Sequence, residues 1–223
     1  MFAATNPTGY AQHIPGPEVL FCDEHMLAVH KPSGLLSTPG RGEHLQDSVV
    51  SRIQTQYPDA IAVHRLDMDT SGVMVLARDI HATRALGLAF EKRQVRKIYH
   101  AWAWGIPLKP EGQIDLPLIC DWPNRPRQMV DFEYGKAATT LYKLLEADSS
   151  ANTSKWELSP LTGRSHQLRV HLSHIGHPIL GDPLYAHPRA LVCATRLMLH
   201  SCEIQIPHPQ THKIMSFSST PDF

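Results

Sequence analysis

Residues 60 to 77 hold two short apolar runs, Ala60-Ile61-Ala62-Val63 and Val73-Met74-Val75-Leu76-Ala77. Between them lies a loop crowded with polar groups, His64-Arg65-Leu66-Asp67-Met68-Asp69-Thr70-Ser71-Gly72. The runs have the length and composition of buried strands. Ionisable groups crowded between such strands cost free energy unless paired. Loops held by rigid strands are also where reactive groups are presented. On its own, Asp67 beside Arg65 and His64 reads about evenly as a structural ion pair and as a catalytic group, a nucleophile or a general base. Asp69 reads as a loop or cap residue, and Thr70 and Ser71 as side chains that bond the turn backbone.

Any fold for this chain must bury those two strands, and the remaining sequence supplies partners. Glu18 to Phe21 and Met26 to His30 read as strands, followed by a turn at Lys31-Pro32-Ser33-Gly34. Asp47 is expected to cap a helix running to about Tyr57, stopped by Pro58. Asp79 is expected to cap a second helix, with Ala82, Ala85, Leu86, Ala89 and Phe90 at helical spacing. Arg96 to Trp104 alternates, with Ile98, Trp102 and Trp104 on one face and Lys97, Tyr99 and two alanines on the other. Residues 105 to 127 carry five prolines and are expected to be irregular, a functional loop. Strands are expected at Gln128 to Tyr134, Ala138 to Glu146, Ser154 to Leu158, Arg196 to Ile206 and Thr211 to Phe217. A helix capped by Ser165 is expected to end at Gly176, and residues 177 to 195 to form a loop. Runs of strands broken by few helices indicate an α+β fold with a mixed, largely antiparallel sheet. Residues 1 to 17 read as a loosely ordered arm, and 18 to 223 as one domain.

Composition narrows the chemistry. Lys+Arg 21 balances Asp+Glu 21, so any polyanion site is a local patch. The four cysteines, at 22, 120, 193 and 202, form no CxxC pair and read as reduced thiols of a cytoplasmic protein. No secretory signal pattern opens the chain, and no apolar run approaches the ~20 residues of a membrane span. The phosphate-binding patterns GxxxxGK[ST] and GxGxxG are absent, as are GxSxG and HExxH.

Three further groups of residues bear on function. Gly163-Arg164-Ser165-His166-Gln167-Leu168-Arg169 sets two arginines and a glutamine at a helix start, a place that favours anions. His166, His171, His174 and His177 lie on or near that helix, but no carboxylate accompanies them, and a structural reading outweighs zinc. Basic side chains recur at Arg84, Lys92, Arg93, Arg96 and Lys97, and Arg125 and Arg127 sit beside Trp122. Basic groups with an aromatic neighbour suit RNA, where phosphates set affinity and bases stack on rings, though a basic face is more often simply solvated.

Together these stretches resemble the RluA family of pseudouridine synthases. The resemblance rests on HRLDMDTSGVMVLAR at 64 to 78, Lys31-Pro32-Ser33-Gly34-Leu35, Lys97-Ile98-Tyr99, GRSHQLRVH at 163 to 171 and GHPILGD at 176 to 182, and it extends from Val19 to Phe223. The loop CDWPNRPRQ at 120 to 128 is similar to that of the members acting on both tRNA and large-subunit rRNA. His30 departs from the family, which often has Asn there. Many members carry an N-terminal S4 domain, for which no room is expected ahead of Glu18.

The resemblance implies an isomerase that converts specific uridines to pseudouridine without a cofactor or metal. Its implied targets are the first nucleotide of the tRNA anticodon loop and large-subunit rRNA. Asp67 would be the essential carboxylate, attacking C1′ as glycosidase carboxylates do or taking the 2′ proton. Arg169 would pair with Asp67, and Tyr99 would stack on the uracil. The uridine would be flipped out of its stack, with Arg65 filling the gap. His64, Lys97, Arg125, Arg127, Arg164 and Gln167 are the remaining candidate RNA contacts. A monomer acting in the cytoplasm is expected. The competing readings are a synthase for another uridine, a non-catalytic RNA-binding protein on the same fold, and a zinc hydrolase built on the His-rich helix.

Overall fold

The computed structural model describes residues 14–223, so most of the arm expected over residues 1 to 17 lies outside the described residues. The chain forms two compact units. One comprises the described residues up to Val95 together with Ser201–Asp222, and the other Arg96–His200 with Phe223.

The first unit begins with β1 (Glu18–Cys22), β2 (Met26–Lys31), α1 (Val49–Ile53), β3 (Ile61–Ala62), β4 (Ser71–Ala77) and α2 (Ile80–Glu91). Strand β2 pairs antiparallel with β1 and with β4, and Lys31 lies opposite Gly72 in the β2–β4 register. All of β4 is buried, which is why its sequence is a continuous apolar run rather than an alternation. Helix α2 lays Ala82, Leu86 and Ala89 onto Met26, Ala28, Val73 and Val75. Its cap is the expected one, since the Asp79 carboxylate accepts the Ala82 N–H at 2.7 Å.

Helix α1 corrects an expectation. Ser48, not Asp47, caps it, in a reciprocal box with Ser51, and it ends at Ile53 rather than near Tyr57. Asp47 instead pairs with Arg52, at 2.7 Å to Nε.

The second unit contains β5 (Arg96–Trp104), β6 (Glu111–Asp115), β7 (Leu118–Cys120), β8 (Gln128–Val130), β9 (Thr139–Asp148), β10 (Thr153–Pro160), α3 (Gln167–His174) and α4 (Pro188–Val192). Strand β10 pairs antiparallel with β5 and β9, and β9 with β6, while β7 and β8 form a separate hairpin. Its core gathers Ala101, Ala103, Trp156, Leu158, Leu168, Leu172 and Ile179, with Tyr99 packed against it.

Residues 105 to 127 are thus not irregular throughout, for they include β6 and β7. Strand β6 pairs with β9 alone and buries only Ile114, so its sequence carries no alternation to read. The loop expected over residues 177 to 195 likewise contains α4. Helix α3 starts two residues beyond the expected Ser165 cap, because His166 precedes it in the left-handed region, with φ 54°.

The chain returns through β11 (Leu199–Pro207), which pairs antiparallel with β12 (Ile214–Ser218). The chain passes between the units at Val95–Arg96 and at His200–Ser201, the second point lying inside β11. The α+β class expected from the sequence holds, and every strand pairing with a described register is antiparallel. No helix is long and apolar enough to cross a membrane among the described residues.

Candidate active site

The first unit carries Asp67, and the loop around it is held chiefly through its backbone. Lys31, fully buried at the end of β2, donates from Nζ to the carbonyls of Met68 at 2.7 Å and Pro32 at 2.9 Å. The Gly34 N–H also donates to Met68 O, at 2.9 Å. The Ser33 hydroxyl donates to Asp69 O at 2.7 Å. Ser37 brackets Leu66, donating to its carbonyl at 2.7 Å and accepting its N–H at 3.0 Å. The turn itself closes with Thr70 N–H on Asp67 O, at 3.1 Å. Backbone groups on both sides of Asp67 are therefore fixed by neighbouring segments, and its half-buried side chain is presented from a rigid support.

Beyond the loop, Ser71 and Gly72 belong to β4 rather than to the turn. Gly72 has φ +113°, and a Cβ there would collide with the backbone of Ser201, so no other residue fits.

His64 and Arg65 have different fates. His64 Nε2 accepts the Val75 N–H at 2.9 Å and its ring packs on Phe90, 4.7 Å between centroids. That bond closes the loop onto β4, a structural task beyond the RNA contact expected for His64. Arg65 is exposed, and no hydrogen bond or ion pair holds it among the described residues. His30, the departure from the family pattern, bonds Ser219 Oγ through Nδ1 at 2.6 Å.

The second unit carries Tyr99, Arg169 and most of the candidate RNA contacts. Arg169 is 2% exposed and forms a bidentate pair with the fully buried Asp182, Nε to Oδ2 at 2.8 Å and Nη2 to Oδ1 at 2.7 Å. Oδ1 also accepts the N–H groups of Leu184 and Tyr185. Gly181, with φ +68° and no room for a Cβ against Arg196 O, sets the turn that delivers Asp182. Tyr99, in β5, sits on the same face as the buried Ala101 and Ala103 and opposite Leu158 of β10.

Gln167 gives a correction. It is 4% exposed, and its amide makes four hydrogen bonds. Oε1 accepts from Thr162 Oγ1 and from the Arg164 N–H, while Nε2 donates to Thr139 O and Thr140 Oγ1. A glutamine amide has no further capacity, so it fixes the start of α3 instead of touching RNA.

Lys97 is half-buried and donates to Thr162 O at 3.3 Å. Loss of hydration pushes its ammonium down to about 8. Arg164 is exposed, with Nε on Ala137 O at 3.2 Å. Arg125 and Arg127 lie in the β7–β8 loop. Arg125 stacks over the exposed Trp122, 4.5 Å to its centroid, and Arg127 over Tyr185 at 5.2 Å.

The histidines near α3 have separate partners. Buried His171 bonds Thr140 Oγ1 and Leu116 O, both at 3.0 Å, and desolvation holds its imidazole below the ordinary range. His166 bonds Tyr185 Oη, and His177 bonds Trp104 O. Among the described residues, no three His, Cys, Asp or Glu side chains are grouped to hold a metal.

Sequence reasoning gave no role to Lys31, Ser37, Asp182 or Tyr185. For Lys31 a signal was available, since a lysine ending a buried apolar strand needs partners for its charge. Asp182 and Tyr185 fall in a Pro- and Gly-containing stretch without periodicity, and only the folded chain brings them to Arg169.

Residues 25–174 match the family model described as RNA pseudouridylate synthase. The chain is 53% identical over 205 residues to the dual-specificity RNA pseudouridine synthase RluA of Escherichia coli O6:H1, covering 92% of this chain and 93% of that one. The protein of the same name from Yersinia pestis is 51% identical, covering 92% and 99% of the two chains. Among solved structures, human RNA pseudouridylate synthase domain containing 1 superposes with a TM-score of 0.79 at 26% identity, over 93% of this chain and 84% of that one.

Proposed function

The chain belongs to the RNA pseudouridylate synthase family, and from that premise we propose that it isomerises uridines of tRNA and large-subunit rRNA to pseudouridine. The relatives that share half of its sequence carry the dual-specificity name, and the CDWPNRPRQ loop at 120 to 128 supports the same pair of substrates. Acting on tRNA and rRNA, the enzyme would work in the cytoplasm.

The reaction breaks N1–C1′, turns the base and joins C5 to C1′, after which the C5 proton leaves and N1 gains one. Atoms and electrons balance within the uridine, so neither ATP nor a redox cofactor is required. Asp67 acts on the ribose, by attack at C1′ or by removing the 2′ proton; both routes need an ionised carboxylate at a fixed position. The observation that carries this reading is the backbone clamp on the Asp67 loop by Lys31, Ser33, Gly34 and Ser37. Such preorganisation suits a reaction in which misplacement of one group by about 1 Å costs about 100-fold. Arg169, held by Asp182, supplies a fixed buried positive charge, and Tyr99 offers its ring to the uracil. Arg65, exposed and without a protein partner among the described residues, replaces the flipped uridine in the RNA stack. Arg125 and Arg127 contact phosphates.

The test is tritium release from RNA labelled at uridine C5, using a tRNA anticodon stem-loop and a large-subunit rRNA fragment as separate substrates. Catalytic release from both is expected. Binding without release would support an RNA-binding protein instead, and release from only one RNA would remove the dual target. Arg65→Ala should slow release at limiting RNA while leaving the fold intact; an unchanged rate there would remove the wedge.

A further inference from the structure

Tyr185 lies three residues beyond Asp182, and none of the roles assigned above uses it. Its ring lies against two guanidinium groups, with Arg169 Cζ and Arg127 Cζ each 5.2 Å from the centroid. Its hydroxyl accepts the Gln128 N–H at 2.8 Å and stands 2.7 Å from His166 Nδ1. Its N–H bonds Asp182 Oδ1 at 3.2 Å, the oxygen that also holds Arg169, and its carbonyl accepts from Ser173 Oγ of α3 at 3.1 Å. The ring also packs on the small apolar cluster of Leu118, Ala138 and Val170.

These contacts join two functional pieces. Gln128 begins β8, where the Arg125 and Arg127 loop returns to the hairpin. Arg169 belongs to α3, and His166, in its left-handed conformation, opens that helix. A single half-buried tyrosine therefore holds the hairpin by its hydroxyl and Arg169 by its ring. Cation–π contact with both arginines adds to the tie.

We infer that Tyr185 is a positioning residue that sets the RNA-gripping hairpin in register with Arg169, so that RNA held at the β7–β8 loop is aligned with the start of α3. The inference rests on the pseudouridine synthase reading. Its chemistry separates the two functions of one side chain. Tyr185→Phe keeps the ring against Arg169 and removes the bonds to Gln128 and His166. Tyr185→Leu removes the ring as well.

The experiment measures kcat and KM for an anticodon stem-loop RNA in the wild type and both variants, with thermal melts as a check on folding. Tyr185→Phe should raise KM about five- to thirty-fold, the worth of one to two net hydrogen bonds, with kcat within about two-fold. Tyr185→Leu should in addition lower kcat by about ten-fold or more. A split of that form in folded variants supports the tie. The inference is overturned if Tyr185→Phe leaves KM unchanged, or lowers kcat as far as Tyr185→Leu does, since either result reduces Tyr185 to packing. An active wild type with such variants overturns the tie alone, whereas an inactive wild type overturns the function as well.

Discussion

The Asp67 loop and the Arg169 helix start are both rigid, but they are held by different means. Around Asp67 the hydrogen bonds from Lys31, Ser33 and Ser37 fall on main-chain carbonyls and an amide, so the loop's backbone shape is fixed. Around Arg169 the restraints fall on side chains, through the bidentate Asp182 pair, the Tyr185 ring and the saturated Gln167 amide. The first arrangement suits a group that must meet substrate. The second suits a charge that must stay where it is, because a buried arginine that loses its carboxylate is far costlier than a loop that loses one hydrogen bond.

That contrast sets the scale of substitution effects. Asp182→Ala leaves the Arg169 charge buried without its bidentate partner and should destabilise the fold by about 3–5 kcal/mol in denaturant unfolding. A loss below about 1 kcal/mol would mean that Arg169 does not depend on Asp182.

Lys31→Met tests the other side. It removes the hydrogen bonds to Met68 and Pro32 along with a buried charge, at similar volume. Stability should change by less than about 2 kcal/mol, while kcat falls about ten-fold or more through displacement of Asp67. Wild-type turnover in that variant would show that the backbone clamp does not place the carboxylate.

A pH-dependent effect concerns Lys97, whose half-buried ammonium is pushed by desolvation down to about 8 from an ordinary 10.5. Below pH 8 both states hold the proton, and the cost of desolvating the charge is fully present. Between pH 8 and 10.5 the unfolded chain binds more protons than the folded one, so stability rises with pH relative to Lys97→Met. Paired urea melts at pH 7, 9 and 10.5 measure this, and a difference that does not change with pH would contradict the shift.

Legibility in the sequence followed how local the signal was. Strand β5 was readable because its last four residues alternate between buried alanines and half-buried tryptophans, in phase with Ile98 and Tyr99 before them. Helix α2 was readable because the Asp79 cap and the apolar stripe agree. The Asp67 loop stood out because ionisable groups interrupt two apolar runs. Strand β6 was invisible because it buries one residue of five. Ser48 displaced Asp47 as a cap because Ser51 reciprocates it, a choice that only geometry decides. Gln167 reads as an RNA contact because sequence does not reveal that Thr139, Thr140, Thr162 and the Arg164 N–H consume its amide. The Arg169 site depends on residues 13 and 16 positions downstream, in a segment without periodic pattern.

The central claim is that this chain makes pseudouridine through Asp67. Its most direct test is a map of pseudouridines in total RNA from a strain lacking the gene, complemented with wild type or with Asp67→Asn. The account predicts that a tRNA anticodon-loop site and a large-subunit rRNA site disappear on deletion, return with the wild type and stay absent with stably expressed Asp67→Asn. Restoration of those sites by Asp67→Asn, or an RNA map unchanged by the deletion, would contradict it.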